Sequence, residues 1–418
     1  MTETTAGSSP GRLGAAGAAV AVAAMVTNGL AYLLPMLGAR HLSAEELSVL
    51  ATVLALVAIA GVAGVGLQMA VAVHRARQPG TPTRQVTLVT AAVAAGVVVV
   101  ATPLMLTALR LSLTVVALVA ATTFAVVLAG RWLGELQGDQ RFLRLAWAMG
   151  VFAVGRYAGM IVTLVLGAGV VDTLVAGLVT AYLVLPVLAW IARPAATNGA
   201  SSIEAPLRIR QVMSAGTAAL AMLVVSYADL IFARQLLSAA DSGAYSVGTV
   251  LTKGALWAPQ VITVLALPRL AIGDSRLRTT VLAIVGACGA VLVAASVLAG
   301  GLAFRLAGGQ DYAALGEYAP FFAATGALYA LVFAVVNAKI AAGARWPSAP
   351  LWAAAGVLAV LTMFVAPRTV QGIMWCAFAT AAVTALVMVF GPALRRTPRR
   401  SSPADPAEHR TRSAEAVS

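Results

Sequence analysis

Charged residues are scarce in this sequence, and so are cysteine and histidine. Asp, Glu, Lys and Arg make up 10% of the 418 residues, whereas about 25% is usual in soluble domains. Both cysteines, Cys288 and Cys376, lie in separate apolar runs, so neither a disulfide framework nor a metal-ligand spacing is indicated. The three histidines fall in predicted loops or near the C-terminus and form no cluster that could hold a metal. These absences argue against redox chemistry and against a soluble metalloenzyme.

Long apolar runs are what the sequence has instead. The hydrophobic fraction is 61% and the mean hydropathy is +0.92. A helix needs about 20 apolar residues to cross a bilayer, where every backbone polar group must be paired internally. We therefore predict an all-α integral membrane protein with about twelve transmembrane helices. The predicted spans are 13–37, 47–73, 86–108, 111–134, 143–168, 172–192, 212–235, 244–268, 279–304, 319–342, 348–367 and 371–394.

The positive charges fall mostly on one side of these spans. A net charge of +13 would suggest a nucleic-acid partner in a soluble protein. Here most arginines and lysines lie in the termini and the even-numbered loops, and only a few lie on the other side, namely Arg40, Arg110, Arg234, Arg305 and Arg368. By the positive-inside rule, both termini are predicted to be cytoplasmic. Topology explains the charge, and no nucleic-acid partner is expected.

The two halves of the chain can be aligned. Leu42, Ser43 and Ala44 after the first span match Leu237, Ser238 and Ala239 after the seventh. Because each half would start and end in the cytoplasm, we predict parallel six-helix repeats. The predicted units are a cytoplasmic N-terminus 1–12, an N-lobe 13–193, a cytoplasmic linker 194–211, a C-lobe 212–394 and a disordered basic tail 395–418.

Three ionisable residues fall deep inside predicted spans: Arg156 in span 5, Asp229 in span 7 and Lys253 in span 8. Charges at membrane depth are costly unless they are paired or face water, so each is a functional candidate. Two interpretations are open. Asp229 could bind a proton or sodium ion while Lys253 and Arg156 attract an anionic head group, or Asp229 and Lys253 could form a structural ion pair while Arg156 bonds to carbonyls.

Neutral polar residues form a second tier of candidates. Asn28, Gln68 and Asn337 could line a path for a polar head group, and Gln260 could do the same, although such residues often only bond neighbouring helices. Arg131 and Glu135, one helical turn apart, predict an interfacial ion pair.

No catalytic pattern is found. The longest predicted outer loop, 305–318, has only Asp311 and Glu317 as acids and no histidine, and the sequence has no GxxxxGK[ST] phosphate-binding loop. We predict that the protein is not an enzyme and is not driven by ATP. Gradient-driven or passive transport is what remains.

Several runs carry a family resemblance. The runs from Leu34 to Arg77 and from Tyr227 to Leu270 resemble the multidrug/oligosaccharidyl-lipid/polysaccharide (MOP) flippase superfamily and are most similar to its polysaccharide-flippase branch. Supporting runs are LGELQGDQRFLRLAWAMGVFAVGRY, GGQDYAALGEYAPFFAATGALYAL and NAKIAAGARWPSA.

This resemblance implies two six-helix lobes around a central cavity, as in the MATE (multidrug and toxic compound extrusion) fold, in a bacterial plasma membrane. The implied cargo is a lipid-linked, polyprenyl-pyrophosphate oligosaccharide, with Arg156 and Lys253 at its head group and Asp229 as the coupling site for H⁺ or Na⁺. Membrane lipids and glycan assembly enzymes are further implied partners, and no cofactor is expected. The alternative is a multidrug, organic-cation antiporter of the same fold, which would need acidic and aromatic residues in its cavity.

Overall fold

The structure is a computed structural model, and it describes residues 10–193, 206–273, 275–308 and 315–391. Every regular element within these ranges is helical. The helices are α1 (Pro10–His41), α2 (Ala44–Ala60), α3 (Val62–Arg77), α4 (Arg84–Val100), α5 (Thr102–Thr107), α6 (Leu113–Gly138), α7 (Phe142–Val165), α8 (Val170–Ile191), α9 (Ile209–Leu236), α10 (Ala239–Trp257), α11 (Gln260–Ala271), α12 (Ser275–Gly308), α13 (Ala319–Ala341), α14 (Ala349–Val360), continued by a π-helical turn (Leu361–Val365), and α15 (Val370–Phe390).

These helices make the protein a multi-pass membrane protein. Within the described ranges, ten helices are long and apolar enough to cross a bilayer, and two shorter apolar helices lie at predicted spans 3 and 11. Each predicted span thus has a helical counterpart. The count of twelve and the cytoplasmic orientation of the termini stay predictions.

The predicted boundaries change slightly at the linker. Helix α9 begins at Ile209, so the last part of the predicted linker is helical, because the chain can already form backbone bonds there before the apolar run starts. Residues 1–9 of the predicted N-terminus, 194–205 of the linker and the predicted tail 395–418 lie outside the described residues.

Four spans are interrupted, two in each half of the chain. Span 2 breaks at Gly61 and span 8 at Pro259, while span 3 breaks at Ala101 before Pro103 and span 9 leaves helical geometry at Ala299 before Gly300. Proline removes one helical hydrogen bond, and glycine lowers the cost of a distorted backbone. Each half of the chain thus contains two interrupted spans, and the six-plus-six repeat stays a prediction.

The second helix of each lobe starts with the same cap. The Ser43 hydroxyl accepts a hydrogen bond from the Glu46 N–H, and the Ser238 hydroxyl accepts one from the Asp241 N–H. A serine at the N-cap satisfies a backbone donor that has no partner in the first turn. This shared cap supports the alignment of Leu42–Ala44 with Leu237–Ala239.

Small residues hold the N-lobe together. Helix α3 packs against α6. A Cβ added to Gly130 would lie 2.5 Å from the Gly64 carbonyl oxygen, and one added to Gly134 would lie 2.6 Å from the Gln68 carbonyl oxygen. Close backbone approach of this kind is the usual basis of helix packing in lipid. Helix α3 is thereby fixed to the N-lobe. In the C-lobe, α13 is central and packs against α10, α12 and α15.

The arginine-rich helix ends lie together on one side, which we call the basic face (Arg75, Arg77, Asp139, Arg141 and Arg269). Arg75 Nη2 lies 2.7 Å from Asp139 Oδ2, and Arg141 donates to the Arg193 carbonyl at 2.7 Å. The predicted Arg131–Glu135 pair is confirmed at 2.8 Å. On the opposite face, Glu46 accepts a hydrogen bond from the Val170 N–H at the start of α8.

The two lobes meet near the basic face. Helix α3 contacts α9 and α11, and α1 and α6 also contact α11. Gly66 of α3 packs directly on Gly216 of α9, since an added Cβ at Gly66 would lie 2.4 Å from the Gly216 Cα. Helices α2 and α10, which continue α3 and α11 toward the opposite face, pack against helices of their own lobes. The lobes are therefore joined at one end.

Candidate functional site

Asp229 is a buried carboxylate in the C-lobe. It lies in the last third of α9 and is 4% exposed. One of its oxygens accepts a hydrogen bond of 3.0 Å from the Tyr245 hydroxyl of α10. A carboxylate at membrane depth needs such donors or a bound proton, because lipid provides neither. In the structure, the Tyr245 hydroxyl is such a donor for Asp229.

Lys253 lies near Asp229 but does not pair with it. Its Nζ donates to the Ser226 carbonyl of α9 and lies 3.5 Å from the centroid of the Tyr227 ring, in a cation–π contact. Among the described residues, no nitrogen–oxygen contact of 4.0 Å or less joins Lys253 to Asp229. The ion pair considered from sequence is therefore not formed, although the two charges still attract each other.

Asp229 and Lys253 have separate partners. Tyr245 and Lys253 lie eight positions apart on α10, about 12 Å along its axis. The Tyr245 hydroxyl donates to Asp229, whereas the Lys253 ammonium donates to the carbonyl of Ser226, three positions before Asp229 on α9. The lysine is held by a carbonyl and a ring, so Asp229 keeps its oxygens for tyrosine.

Two tyrosines complete this group, and sequence reasoning missed both. Tyr245 is almost fully buried and meets the Phe322 ring edge-on at 5.2 Å between centroids. Tyr329 of α13 is 2% exposed, interacts electrostatically with Asp229, and its hydroxyl has no hydrogen-bond partner within the described ranges. The available signal was a hydroxyl inside an otherwise apolar span. We call Ser226, Asp229, Tyr245, Lys253 and Tyr329 the C-lobe polar cluster.

Arg156 is a half-buried cation in the N-lobe. Its guanidinium lies 5.1 Å from the centroid of the Tyr157 ring, and helix α7 packs against α1, α6 and α8. In the part of the chain that the structure describes, no carboxylate pairs with Arg156 and no hydrogen bond to its side chain is formed. A charge left in this state inside a span calls for water or an anionic ligand.

The neutral candidates are distributed differently. Gln68 donates to Gln137, which donates to the Val264 carbonyl of the C-lobe, so this pair bridges the lobes. Asn337 donates to the Phe333 carbonyl of its own helix and lines a small pocket with Gln260 and Thr263. Asn28 is exposed on α1.

The structure thus brings only part of the predicted set together. Asp229 and Lys253 share one cluster, Arg156 and Asn28 belong to the other lobe, and Gln68 and Asn337 lie toward the basic face. Among the described residues no group of His, Cys, Asp and Glu could hold a metal ion.

Neither a protein-family model nor a curated protein matches this sequence. Solved structures do match. A multidrug resistance MATE family transporter of the MOP superfamily, in an outward-facing conformation, is similar over 91% of this chain and 95% of its own, with a TM-score of 0.68 and 15% identity. The MATE transporter ClbM in complex with Rb⁺ covers 91% and 93%, with a TM-score of 0.65 and 15% identity.

A third similar structure is a MOP superfamily transporter from Pyrococcus furiosus, described as having a binding pocket of reverse polarity that suggests a different function. It covers 91% of this chain and 95% of its own, with a TM-score of 0.64 and 14% identity. The chain therefore has the fold of the MATE transporters of the MOP superfamily. The predicted superfamily resemblance is confirmed at the level of the fold, whereas the polysaccharide-flippase branch stays a prediction.

Proposed function

We propose that this protein is a transporter that moves a lipid-linked oligosaccharide across the bacterial plasma membrane, as a flippase, by alternating access of a cleft between its lobes. Arg156 is the observation that carries the proposal. It is a cation at membrane depth with no anionic partner in the described residues, and a pyrophosphate head group would supply the missing negative charge.

The joined basic face supports alternating access. The lobes contact each other through α3, α9 and α11, whereas α2 and α10 pack within their own lobes. If the basic face is cytoplasmic, as the positive-inside rule predicts, the cleft opens to the outside. Rocking of the two lobes that opens this contact and closes the outer side would then expose the cleft to the cytoplasm.

Asp229 supports coupling to an ion gradient. Its carboxylate is enclosed and, within the described residues, accepts a side-chain hydrogen bond from Tyr245. Proton binding would neutralise it without any further ligand, whereas Na⁺ would need several oxygens. We therefore assign Asp229 to H⁺ rather than to Na⁺.

The cargo chemistry fits a path with few charges. A glycan loses hydrogen bonds to water when it enters hydrocarbon, so a protein path with neutral polar groups and one cation lowers the barrier. Asn28 and Arg156 offer such groups in the N-lobe. The polyprenyl tail can stay in lipid.

An organic-cation antiporter is the second candidate, because tyrosines surround an acid in the C-lobe polar cluster. Tyr227, Tyr245 and Tyr329 are the aromatic residues that such a site needs. Against it, Asp229 is 4% exposed and Lys253 already occupies the Tyr227 ring. We therefore propose the flippase first and keep the antiporter as the alternative.

Proteoliposomes test the proposal. They are loaded with a fluorescent polyprenyl-pyrophosphate oligosaccharide, and exposure of the label to an external quencher is followed with and without a proton gradient. We expect wild type to accelerate exposure, Arg156→Ala to slow it about tenfold or more, and Asp229→Asn to abolish the response to the gradient. Arg144→Ala, an exposed arginine on the same helix, should match wild type.

The alternative has its own signature in the same vesicles. Exposure no faster than in empty liposomes, together with gradient-dependent movement of a fluorescent organic cation, would replace the flippase with the antiporter.

A further inference from the structure

Arg77 joins the two lobes through two helix ends. It is the last residue of α3, in the N-lobe. Its Nε donates to the Ala271 carbonyl at 3.0 Å, and its Nη2 donates to the Ala341 carbonyl. Ala271 and Ala341 are the last residues of α11 and α13, both in the C-lobe. One guanidinium therefore caps two helices of the opposite lobe.

The chemistry of helix ends makes this contact favourable. The last carbonyls of a helix have no intrahelical donor and carry partial negative charge. Neither the Ala271 nor the Ala341 carbonyl accepts a hydrogen bond from a loop or cap backbone N–H of the described residues. A planar guanidinium with donors on several edges can serve both acceptors at once, which a lysine ammonium on its flexible stem does less well.

Arg77 is rigidly attached to its own lobe. Two residues earlier, Arg75 pairs with Asp139 at the end of α6. Gly138 of α6 packs on the α3 backbone, since an added Cβ there would lie 2.7 Å from the Ala72 carbonyl oxygen. Separation of the two lobes at the basic face would therefore pull Arg77 away from both carbonyls.

Other contacts between the lobes lie on the same side and are weaker or neutral. Gln137 donates to the Val264 carbonyl at 3.0 Å, and Arg269 lies 3.4 Å from Gln140 through Nε and Oε1. The Gly66–Gly216 contact adds close packing without charge. Of these contacts, the one made by Arg77 is charge-assisted and involves two acceptors, so its loss should cost most.

We infer that Arg77, with the carbonyls of Ala271 and Ala341, is a latch that holds the lobes together at the basic face and sets which end of the cleft is open. Its consequence for transport rests on the proposed function. The effect of Arg77 on the relative position of the lobes does not rest on the proposed function, because that position can be measured without any cargo.

Spin-label distances test the latch in the full-length protein, reconstituted in lipid after Cys288→Ser and Cys376→Ser. One label pair reports the basic face, at Arg144→Cys and Arg276→Cys. The other reports the opposite face, at Leu166→Cys and Leu306→Cys. All four positions are exposed, and each pair has one residue in each lobe. With Arg77→Ala we expect the basic-face pair to gain a longer distance and the other pair a shorter one.

We expect Arg77→Ala to change the ratio of the two lobe arrangements, closed and open at the basic face, about tenfold, which corresponds to ~1.4 kcal/mol. Arg77→Lys, which keeps the charge but not the planar fork, should fall between wild type and alanine. Arg84→Ala removes an exposed arginine at the start of α4 on the same side and should leave both distributions unchanged.

Two outcomes would overturn the latch. One is a folded Arg77→Ala protein whose two distance distributions equal those of wild type. The other is an equal shift in Arg84→Ala, which would assign the effect to surface charge alone. Because no cargo is present, a failed flippase assay leaves this measurement intact, and unchanged distances leave the flippase proposal standing.

Discussion

The N-lobe and the C-lobe have the same helical plan but carry their charges in different ways. In the N-lobe, Arg156 stands at membrane depth with no anionic partner in the described residues. In the C-lobe, Asp229 and Lys253 are each held by hydrogen bonds within a cluster of tyrosines and a carbonyl. A cation without an anionic partner can bind an anionic ligand reversibly, whereas an enclosed carboxylate is accessible only to a small ion. The comparison supports our proposal, in which cargo binding and ion coupling belong to different lobes.

The most severe test of this division is to reverse the N-lobe charge. With Arg156→Glu we expect transfer of the anionic probe to fall on the order of 100-fold, because a second negative charge repels the pyrophosphate at low dielectric. The quencher assay measures the rate, and Arg144→Glu on the same helix is the control. Undiminished transfer by Arg156→Glu would remove the N-lobe from cargo binding.

Packing should respond alike in the two lobes. In the N-lobe, a Cβ added to Gly134 would lie 2.6 Å from the Gln68 carbonyl oxygen. In the C-lobe, a Cβ added to Gly326 would lie 2.2 Å from the Thr252 carbonyl oxygen. We expect Gly134→Ala and Gly326→Ala each to lower the free energy of unfolding by ~1–3 kcal/mol, because the backbone of the neighbouring helix must move to make room for the added methyl group. Thermal unfolding in detergent measures this. Gly96→Ala, with nothing within 4 Å of the added atom, should be neutral or slightly stabilising, and a similar loss there would refute the packing argument.

The coupling role of the C-lobe can be tested without removing its acid. Tyr245→Phe deletes the hydroxyl that donates to Asp229 at 3.0 Å. We expect the acceleration by a proton gradient to change about tenfold, as one buried hydrogen bond to a charged group is worth ~1.5–3 kcal/mol. Tyr182→Phe removes a hydroxyl bonded to the Ala121 carbonyl in the N-lobe and should leave the response unchanged. Equal effects of both variants would contradict the assignment of coupling to the C-lobe.

The smallest effect concerns the shared helix caps. Ser43→Ala and Ser238→Ala should each cost ~1 kcal/mol, since each removes an acceptor for the first turn of its helix. Thermal unfolding of the single variants and the double variant gives the values. Near-additive losses are expected for such distant sites, whereas a loss in one lobe only would weaken the structural match between the halves.

Sequence alone predicted the helices well, because length and apolar content are the properties that a bilayer selects. The starts of α2 and α10 could also be predicted from the sequence, since the aligned Ser43 and Ser238 each begin a local capping pattern. The Arg131–Glu135 pair followed from spacing on one helix. All of these depend on residues close together in the chain.

The candidate site was harder to predict, because it depends on how far side chains reach. Counting residues placed Asp229 and Lys253 at similar depth, yet the lysine reaches the Ser226 carbonyl instead. Tyr245 and Tyr329 were missed because only charged residues were weighed as ionisable. The role of Arg77 was out of reach as well, since its acceptors are backbone carbonyls and carry no sequence signal.

The helix breaks have a consequence for which substitutions each bend tolerates. Span 2 bends at a glycine and span 8 at a proline, while span 3 bends before a proline and span 9 before a glycine. Each bend is thus made once by each type of residue. A missing backbone N–H and a missing Cβ are two different routes to the same loosening of a helix, so exchanging the glycine and the proline between the two positions should preserve the bend.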